Sequence, residues 1–324
     1  MNNKILLCLL AVFALAVVPT VQAQPRKPYR VGVIHEGGSY LAAVEGLKDG
    51  LKELGLQPGK DVLLEIRDMQ GNRGAVGDAA RSLEQSKVDL LYCLSTSVTL
   101  VAKSATKDVP IVFAIGTDAA AGGLVASLAR PGGRLTGVQR LSSDFTAKRL
   151  EILKEIIPKL HRVATFYDPS NSVAIQAAKL AREAAQQLKV EIAEQSVGSV
   201  AELRQAVGKL DPKRVDAFFY VSDAMVTSEN KFIVDTANAK KLPTMFSDPE
   251  FVTQGALVGY GVNRYDEGKL SAKYVQRVLT GTSPRDMPVE QFSRFELGIN
   301  LQTAKKLGIT IPQAVLFRAD KVVE

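Results

Sequence analysis

From Tyr29 onward, short apolar runs alternate with longer amphipathic ones. Residues 29–35 have the apolar, β-branched density of a buried strand. Residues 41–54 are helical in pattern and stop at Gly55. The alternation continues with strands at 62–67, 88–94 and 111–115, and helices at 75–85 and 98–105 between them. Apolar strands separated by helices indicate βαβ units and a parallel sheet covered on both faces.

The pattern then restarts. Strands are expected at 162–167, 190–195, 215–221 and 244–246, with helices at 172–188, at 200–210 and up to about residue 240. The two halves also match locally. Tyr29-Arg30-Val31 parallels His161-Arg162-Val163, and Val88-Asp89 parallels Val215-Asp216. Val109-Pro110-Ile111-Val112-Phe113 parallels Leu242-Pro243-Thr244-Met245-Phe246. Three matches in the same order indicate a duplication, so the expected fold class is α/β with two doubly wound parallel-sheet lobes. After Phe251 the pattern loosens into a strand at 257–260, a helix at 265–279, strands at 287–290 and 296–300, and a helix to 307. Lobe one is expected to comprise 24–140 plus about 261–282, and lobe two 141–260 plus about 283–324. Strand crossings near 137–142, 257–263 and 283–290 would form a hinge.

The first residues bear on location. A positive start with Lys4 precedes an unbroken apolar run from Ile5 to Val18, then Pro19 and the small-residue pattern Val21-Gln22-Ala23. This reads as a cleaved secretory signal peptide at 1–23, which implies a periplasmic protein. The run is shorter than the roughly 18 to 20 residues that span a bilayer. Removing Cys8 leaves Cys93 alone in an apolar strand, so no intrachain disulfide is expected.

Composition excludes several functions. The formal charge is +7, but Lys and Arg are scattered among Asp and Glu without a basic tract, so nucleic acid is not an expected partner. The two histidines are His35 and His161, there is no G-x-S-x-G elbow, and no Cys/His cluster could hold zinc. No glycine-rich nucleotide loop follows a strand. The expected protein is therefore not an enzyme and carries no cofactor or metal, although several acids in the strand-end loops leave paired-carboxylate glycoside chemistry open; a monomer is expected.

In open parallel sheets, ligands bind outside the carboxyl ends of the strands. Two such lobes facing each other make a cleft that hinge motion can close. The expected lining loops are 35–39, 95–97 and 116–118 from lobe one, and 168–172, 222–224 and 247–250 from lobe two. They are rich in hydroxyls and acids and contain no Lys or Arg. Several precede helices, whose free N–H groups suit a carboxylate. An Asp would receive an ammonium; Asp223 is the favoured one, with Asp118 and Asp248 as alternatives. An amino acid or related amine is the expected ligand.

These segments resemble a known family. TSVTLVAKSATKDVPIVFAIGTD (96–118), GLVASLARPGGRLTGV (123–138), KRLEILKEIIPKLHRVATFYDPSN (148–171), FELGINLQTAKKLGITIP (295–312) and ADKVV (319–323) are similar to the substrate-binding proteins of ABC transporters that include the tryptophan/tyrosine-binding TrpX type. The resemblance covers nearly the whole chain after residue 23. It implies a type I periplasmic-binding fold, delivery of ligand to an ABC permease in the inner membrane, and no catalysis. Matched to the family's cleft are Ser39, Thr96, Ser97, Thr117, Asp118, Asn171, Asp223, Ala224, Ser247 and Asp248, with Tyr260 and Asn263 at the crossing. The chain has no Trp, and the loops offer few aromatics to stack a ligand ring, which counts against aromatic specificity. Three other functions compete: a sugar-responsive repressor, which would need a helix-turn-helix where the signal peptide stands; an enzyme on the same lobes; and an accessory protein presenting its ligand to a membrane sensor.

Overall fold

The structure is a computed structural model that describes residues 27–140 and 145–324. The expected signal segment, residues 1–23, and part of the first expected crossing lie outside the described residues.

The first lobe is a parallel sheet of β1 (Tyr29–His35), β2 (Val62–Asp68), β3 (Leu90–Leu94), β4 (Ile111–Ile115) and β5 (Leu135–Gln139), in the order β2-β1-β3-β4-β5. Strand β3 shows why both faces must be covered. Leu90, Tyr92 and Leu94 pack into one core with Val31 and Val33, whereas Leu91 and Cys93 pack into another with Ile34 and Phe113. Successive side chains point to opposite faces, so a strand apolar at every position needs helices on both sides. Helix α1 (Tyr40–Glu53) covers the first face with Ala43, Val44, Leu47 and Leu51. Helices α2 (Val76–Gln85) and α3 (Thr96–Ala105) cover the second with Val76, Ala80, Leu83, Val98 and Ala102.

The second lobe repeats the design. Following helix α4 (Thr146–Ile156), strands β6 (Arg162–Tyr167), β7 (Glu191–Ser196), β8 (Ala217–Phe219), β9 (Thr244–Phe246) and β10 (Val258–Val262) lie in the order β7-β6-β8-β9-β10. This is the first lobe's order again. The helices between them are α5 (Ser172–Leu188), α6 (Val200–Gly208), α7 (Ala224–Ser228) and α8 (Asn230–Ala239). In both lobes the order reverses between the first and third strands, and the loops after those strands flank a crevice.

The chain then returns. Helix α9 (Arg264–Leu279) packs on α1 of the first lobe. The backbones touch: a Cβ on Gly46 would lie 1.9 Å from the Tyr265 carbonyl oxygen, and one on Gly268 would lie 1.9 Å from that of Ala43. This close seam sets the first residues of the two helices, Tyr40 and Arg264, against each other. The short β11 (Glu290–Gln291) pairs with β5, and β12 (Phe295–Asn300) runs antiparallel to β10. Helices α10 (Leu301–Leu307) and α11 (Gln313–Leu316) follow, and β13 (Lys321–Val323) ends the second sheet beside β12.

The third crossing comes later than its expected place at 283–290. Met287 is buried in the first lobe's core and Thr136 Oγ1 donates to its carbonyl oxygen at 2.7 Å. Val289 N–H donates to the Leu128 carbonyl oxygen at 2.7 Å. Residues 283–291 therefore stay with the first lobe, and the chain crosses between β11 and β12. Its apolar alternation marked a strand but carried no information about which sheet would receive it.

Candidate ligand-binding cleft

The strand-end loops of both lobes meet across a cleft of about 780 Å³, including open solvent at its mouth. On the first lobe, Ser95 ends β3 and caps α3, its hydroxyl accepting from Val98 N–H at 3.2 Å. Ser95 holds a φ of +91°, a region that favours glycine, so this turn stores backbone strain at the cleft wall. Thr96 and Ser97, the first residues of α3, line the cleft, and a helix start favours an anion. Thr96 and Thr117 hydroxyls meet at 3.1 Å, and Ser95 and Ser97 hydroxyls also meet at 3.1 Å.

The second lobe contributes Asn171, Tyr220 and Asp223. Asn171 caps α5 through Val173 N–H at 3.2 Å. Asp223 is buried, with Oδ1 accepting from Val226 N–H at 3.0 Å and Oδ2 from Asp168 N–H at 3.0 Å. Burial, more than any other influence, raises its pKa; those N–H bonds oppose the rise. The Tyr220 hydroxyl lies 2.7 Å from that of Thr227 and accepts from Asp223 N–H at 3.1 Å, which fixes the ring at the cleft wall.

At the hinge end sit Arg140 after β5, Arg149 on α4 and Arg264 at the start of α9, all three lining the cleft. Arg140 forms an ion pair with Glu267, which is fully buried. Arg264 Nε lies 3.2 Å from Asp248 Oδ2, and its guanidinium stacks 4.3 Å from the centre of the Tyr40 ring. Burial opposes the charge on Arg264, but Tyr40, Asp248 and Glu267 together outweigh it and hold the group above its ordinary pKa. Arg149 is fully buried, its Nη2 donates to Thr146 Oγ1 at 3.1 Å, and burial pulls its pKa down to about 10.

Of the residues expected from sequence, Thr96, Ser97, Thr117, Asn171, Asp223, Ala224 and Ser247 line this cleft. The other five do not, and all but Ser39 have local work instead. Ser39 stands before α1. Asp118 accepts from Ala120 and Ala121 N–H at 2.8 Å each, closing a turn. Asp248 caps the turn at Glu250 N–H and faces Arg264. Asn263 caps α9, accepting from Tyr265 N–H at 3.0 Å. Tyr260 packs against Phe145 and Phe295, with ring centres 6.0 and 6.4 Å away.

The six strand-end loops carry no Lys or Arg, yet three arginines line the cleft, and they come from crossings and helix starts. Few aromatics were expected, yet Tyr40, Tyr220 and Phe295 line the cleft. One sequence signal marks two of the arginines: Gly137-Val138-Gln139-Arg140 recurs as Gly261-Val262-Asn263-Arg264. Both copies sit where a sheet ends and the chain crosses. Each glycine admits a neighbouring backbone: a Cβ on Gly137 would lie 2.1 Å from the Phe113 carbonyl oxygen, and one on Gly261 would lie 1.9 Å from that of Ser247. No group of His, Cys, Asp and Glu among the described residues could hold a metal ion, and no described helix is long and apolar enough to cross a membrane.

The family model for ABC transporter substrate binding proteins matches residues 30–323. A tyrosine-binding protein of Clostridioides difficile is 29% identical over 289 residues, 88% of this chain and 82% of that one. The structure of an ABC domain in complex with L-Trp from Streptococcus pneumoniae is 27% identical, with a TM-score of 0.80, covering 92% of this chain and all of that one. A ligand-free, open substrate binding protein from Clostridium difficile is 25% identical with a TM-score of 0.60, over 91% of this chain and 99% of that one. The chain belongs to the ABC transporter substrate binding protein family, whose members bind solutes rather than transform them, and its fold is the type I periplasmic-binding one.

Proposed function

We propose that this family member captures an aromatic amino acid between its lobes in the periplasm and delivers it to an ABC permease for import. The observation that carries the reading is the composition of the cleft. Three aromatic side chains, Tyr40, Tyr220 and Phe295, share it with groups suited to both ends of an amino acid. Thr96, Ser97, the N–H groups at the start of α3 and the guanidinium of Arg149 suit a carboxylate. Asp223 suits an ammonium, whose charge would compensate the cost of a buried carboxylate. Asp248 does not compete for that role, because Arg264 already faces it. The names of two relatives, one tyrosine-binding and one in complex with L-Trp, support the same ligand class.

The arrangement of the lobes supports capture by closure. At nearly equal identity, the chain superimposes better on the complex with L-Trp than on the open, ligand-free relative. Native mass spectrometry of protein purified without refolding, followed by calorimetry with L-tyrosine and L-tryptophan, tests the reading. Binding of either with a dissociation constant in the micromolar range or below is expected. A retained ligand without an amine, or no heat with either amino acid, would sink it.

A further inference from the structure

Away from the hinge, the loops after β1 and β2 of the first lobe meet the loop after β6 and the end of α7 of the second. The contact is close. A Cβ on Gly38 would lie 2.3 Å from the Thr227 carbonyl oxygen of the second lobe, and one on Gly71 would lie 2.6 Å from Ser228 Oγ. Arg73 Nη1 donates across the gap to the Ser170 carbonyl oxygen at 2.9 Å and lies 3.9 Å from Asp168 Oδ2. Between these contacts Glu36 is buried, 1% exposed, and accepts from Ser97 Oγ at 3.4 Å.

We propose that Glu36 makes lobe closure proton-coupled: separating the lobes leaves its carboxylate in water and ionised, and closing them buries it as the neutral acid. The proposal rests on the reading that this protein works by closing on a ligand. It goes beyond that reading by assigning a regulatory group outside the ligand's contact surface.

The surroundings explain the direction. The charged groups facing Glu36 are Asp223 and Asp168 from the second lobe and Arg73 from its own. Its neighbour His35 is fully buried beside Asp68, with burial pulling the imidazole pKa down; Tyr40 lies on the adjoining helix. Two acids and one partly exposed arginine leave the pocket short of positive charge. Burial, reinforced by Asp223, pushes the Glu36 carboxyl up to about 8, against the opposing pull of Ser97 and Arg73. An ordinary Glu titrates near 4.3. The closed form therefore binds a proton that the open form releases, throughout the interval between those values. Within it, closure weakens as pH rises, and the effect ends above the upper value, where both forms are ionised.

The test is calorimetry with L-tryptophan at pH 5.5, 7.0 and 8.5, in paired buffers of different ionisation heat, on wild type and Glu36→Gln. Gln keeps the shape and a polar contact for Ser97 while removing the titration. In wild type, uptake of close to one proton is expected at pH 5.5 and 7.0 and much less at 8.5, with affinity falling between the first two toward the limit of roughly tenfold per pH unit for one linked proton. Glu36→Gln should flatten both. Binding with no pH slope, or the same slope in both proteins, overturns the proposal while leaving the ligand reading intact. If L-tryptophan does not bind, the ligand reading fails and small-angle scattering of ligand-free protein decides the proposal. A smaller radius of gyration at pH 5.5 than at 8.5 in wild type, absent in Glu36→Gln, supports it; equal radii overturn it.

Discussion

At the hinge end of the cleft, Glu267 and Asp248 are buried against Arg140 and Arg264. At the far end, Glu36, Asp168 and Asp223 share one partly exposed arginine, Arg73. The same residue types thus do different work a short distance apart. Arg140 follows β5 and Arg264 follows β10, so the hinge-end pairs tie together the segments where the chain crosses. Elements joined by strand crossings move little relative to each other, and a permanent ion network suits them. The far end separates on opening, so its acids meet water in one state and each other in the next. An acid in that position needs a proton or a ligand's ammonium as its partner, and neither is fixed in the sequence. Matched charge therefore marks the axis of motion, and mismatched charge marks what the motion brings together.

The largest expected effect breaks the matched end. Glu267→Ala leaves Arg140 buried without its carboxylate and deprives Arg264 of a neighbour. Removing one partner of a buried pair costs about 3–5 kcal/mol. Urea unfolding should show that loss, with a lower midpoint. Glu36→Gln at the other end should behave oppositely. In the closed form its raised pKa means the folded protein holds a proton that the unfolded chain loses, so wild-type stability, measured with ligand holding the lobes closed, declines as pH rises from the ordinary Glu value toward about 8. The variant should lack that decline and match or exceed wild-type stability at pH 8.5. Equal destabilisation by both substitutions would erase the distinction between the two ends.

Next in size is Asp223→Asn. Asn caps helices about as well as Asp, so the bond to Val226 N–H and the start of α7 should survive. What is lost is the charge that would meet a ligand's ammonium, together with the second oxygen that accepts from Asp168 N–H. Losing one partner of a buried charged hydrogen bond costs about 2–5 kcal/mol, or roughly 30-fold or more in affinity. Calorimetry with the ligand retained on purification measures it. Full affinity, with an unchanged melting temperature, would remove Asp223 from ligand recognition.

The legibility of these features in sequence divides along the same line. The repeated lobes were readable because strands such as Leu90–Leu94 and Ile111–Ile115 are apolar on both faces, and a local run of that kind has few other uses. The strand-end loops were readable because topology alone puts them at the cleft, and Thr96, Ser97, Asn171 and Asp223 are there. Arg149 and Tyr40 were not readable, since a helix residue turned toward the cleft looks like one turned toward solvent until the packing is known. Asp248, expected as an alternative ligand acid, faces Arg264, which is distant from that loop in sequence and reaches it only through the return of α9. Arg140 and Arg264 stood in the repeated Gly-Val-x-Arg pattern, a signal outside the loops that topology singles out.

The smallest expected effect concerns Arg73, which is the far end's partial answer to its acids. Its side chain is 29% exposed and its pair with Asp168 is long at 3.9 Å, so the ionic part alone is worth little. The bond to the Ser170 carbonyl oxygen at 2.9 Å spans the lobes, so separating them would break it. Arg73→Gln should therefore leave the folding of either lobe unchanged within about 0.5 kcal/mol, the usual range for a surface substitution. It should shorten the life of the closed complex instead. A net bond of about 0.5–1 kcal/mol corresponds to roughly two- to fivefold faster ligand release. Stopped-flow displacement reads this as a change in dissociation rate with little change in association, because the contact forms after the ligand has entered. The same substitution also removes the cation nearest Glu36, so the pH slope of binding should extend to higher pH in Arg73→Gln than in wild type. A slower association with unchanged release would place Arg73 in the encounter rather than in the closed state, and would break the far end's likeness to a latch.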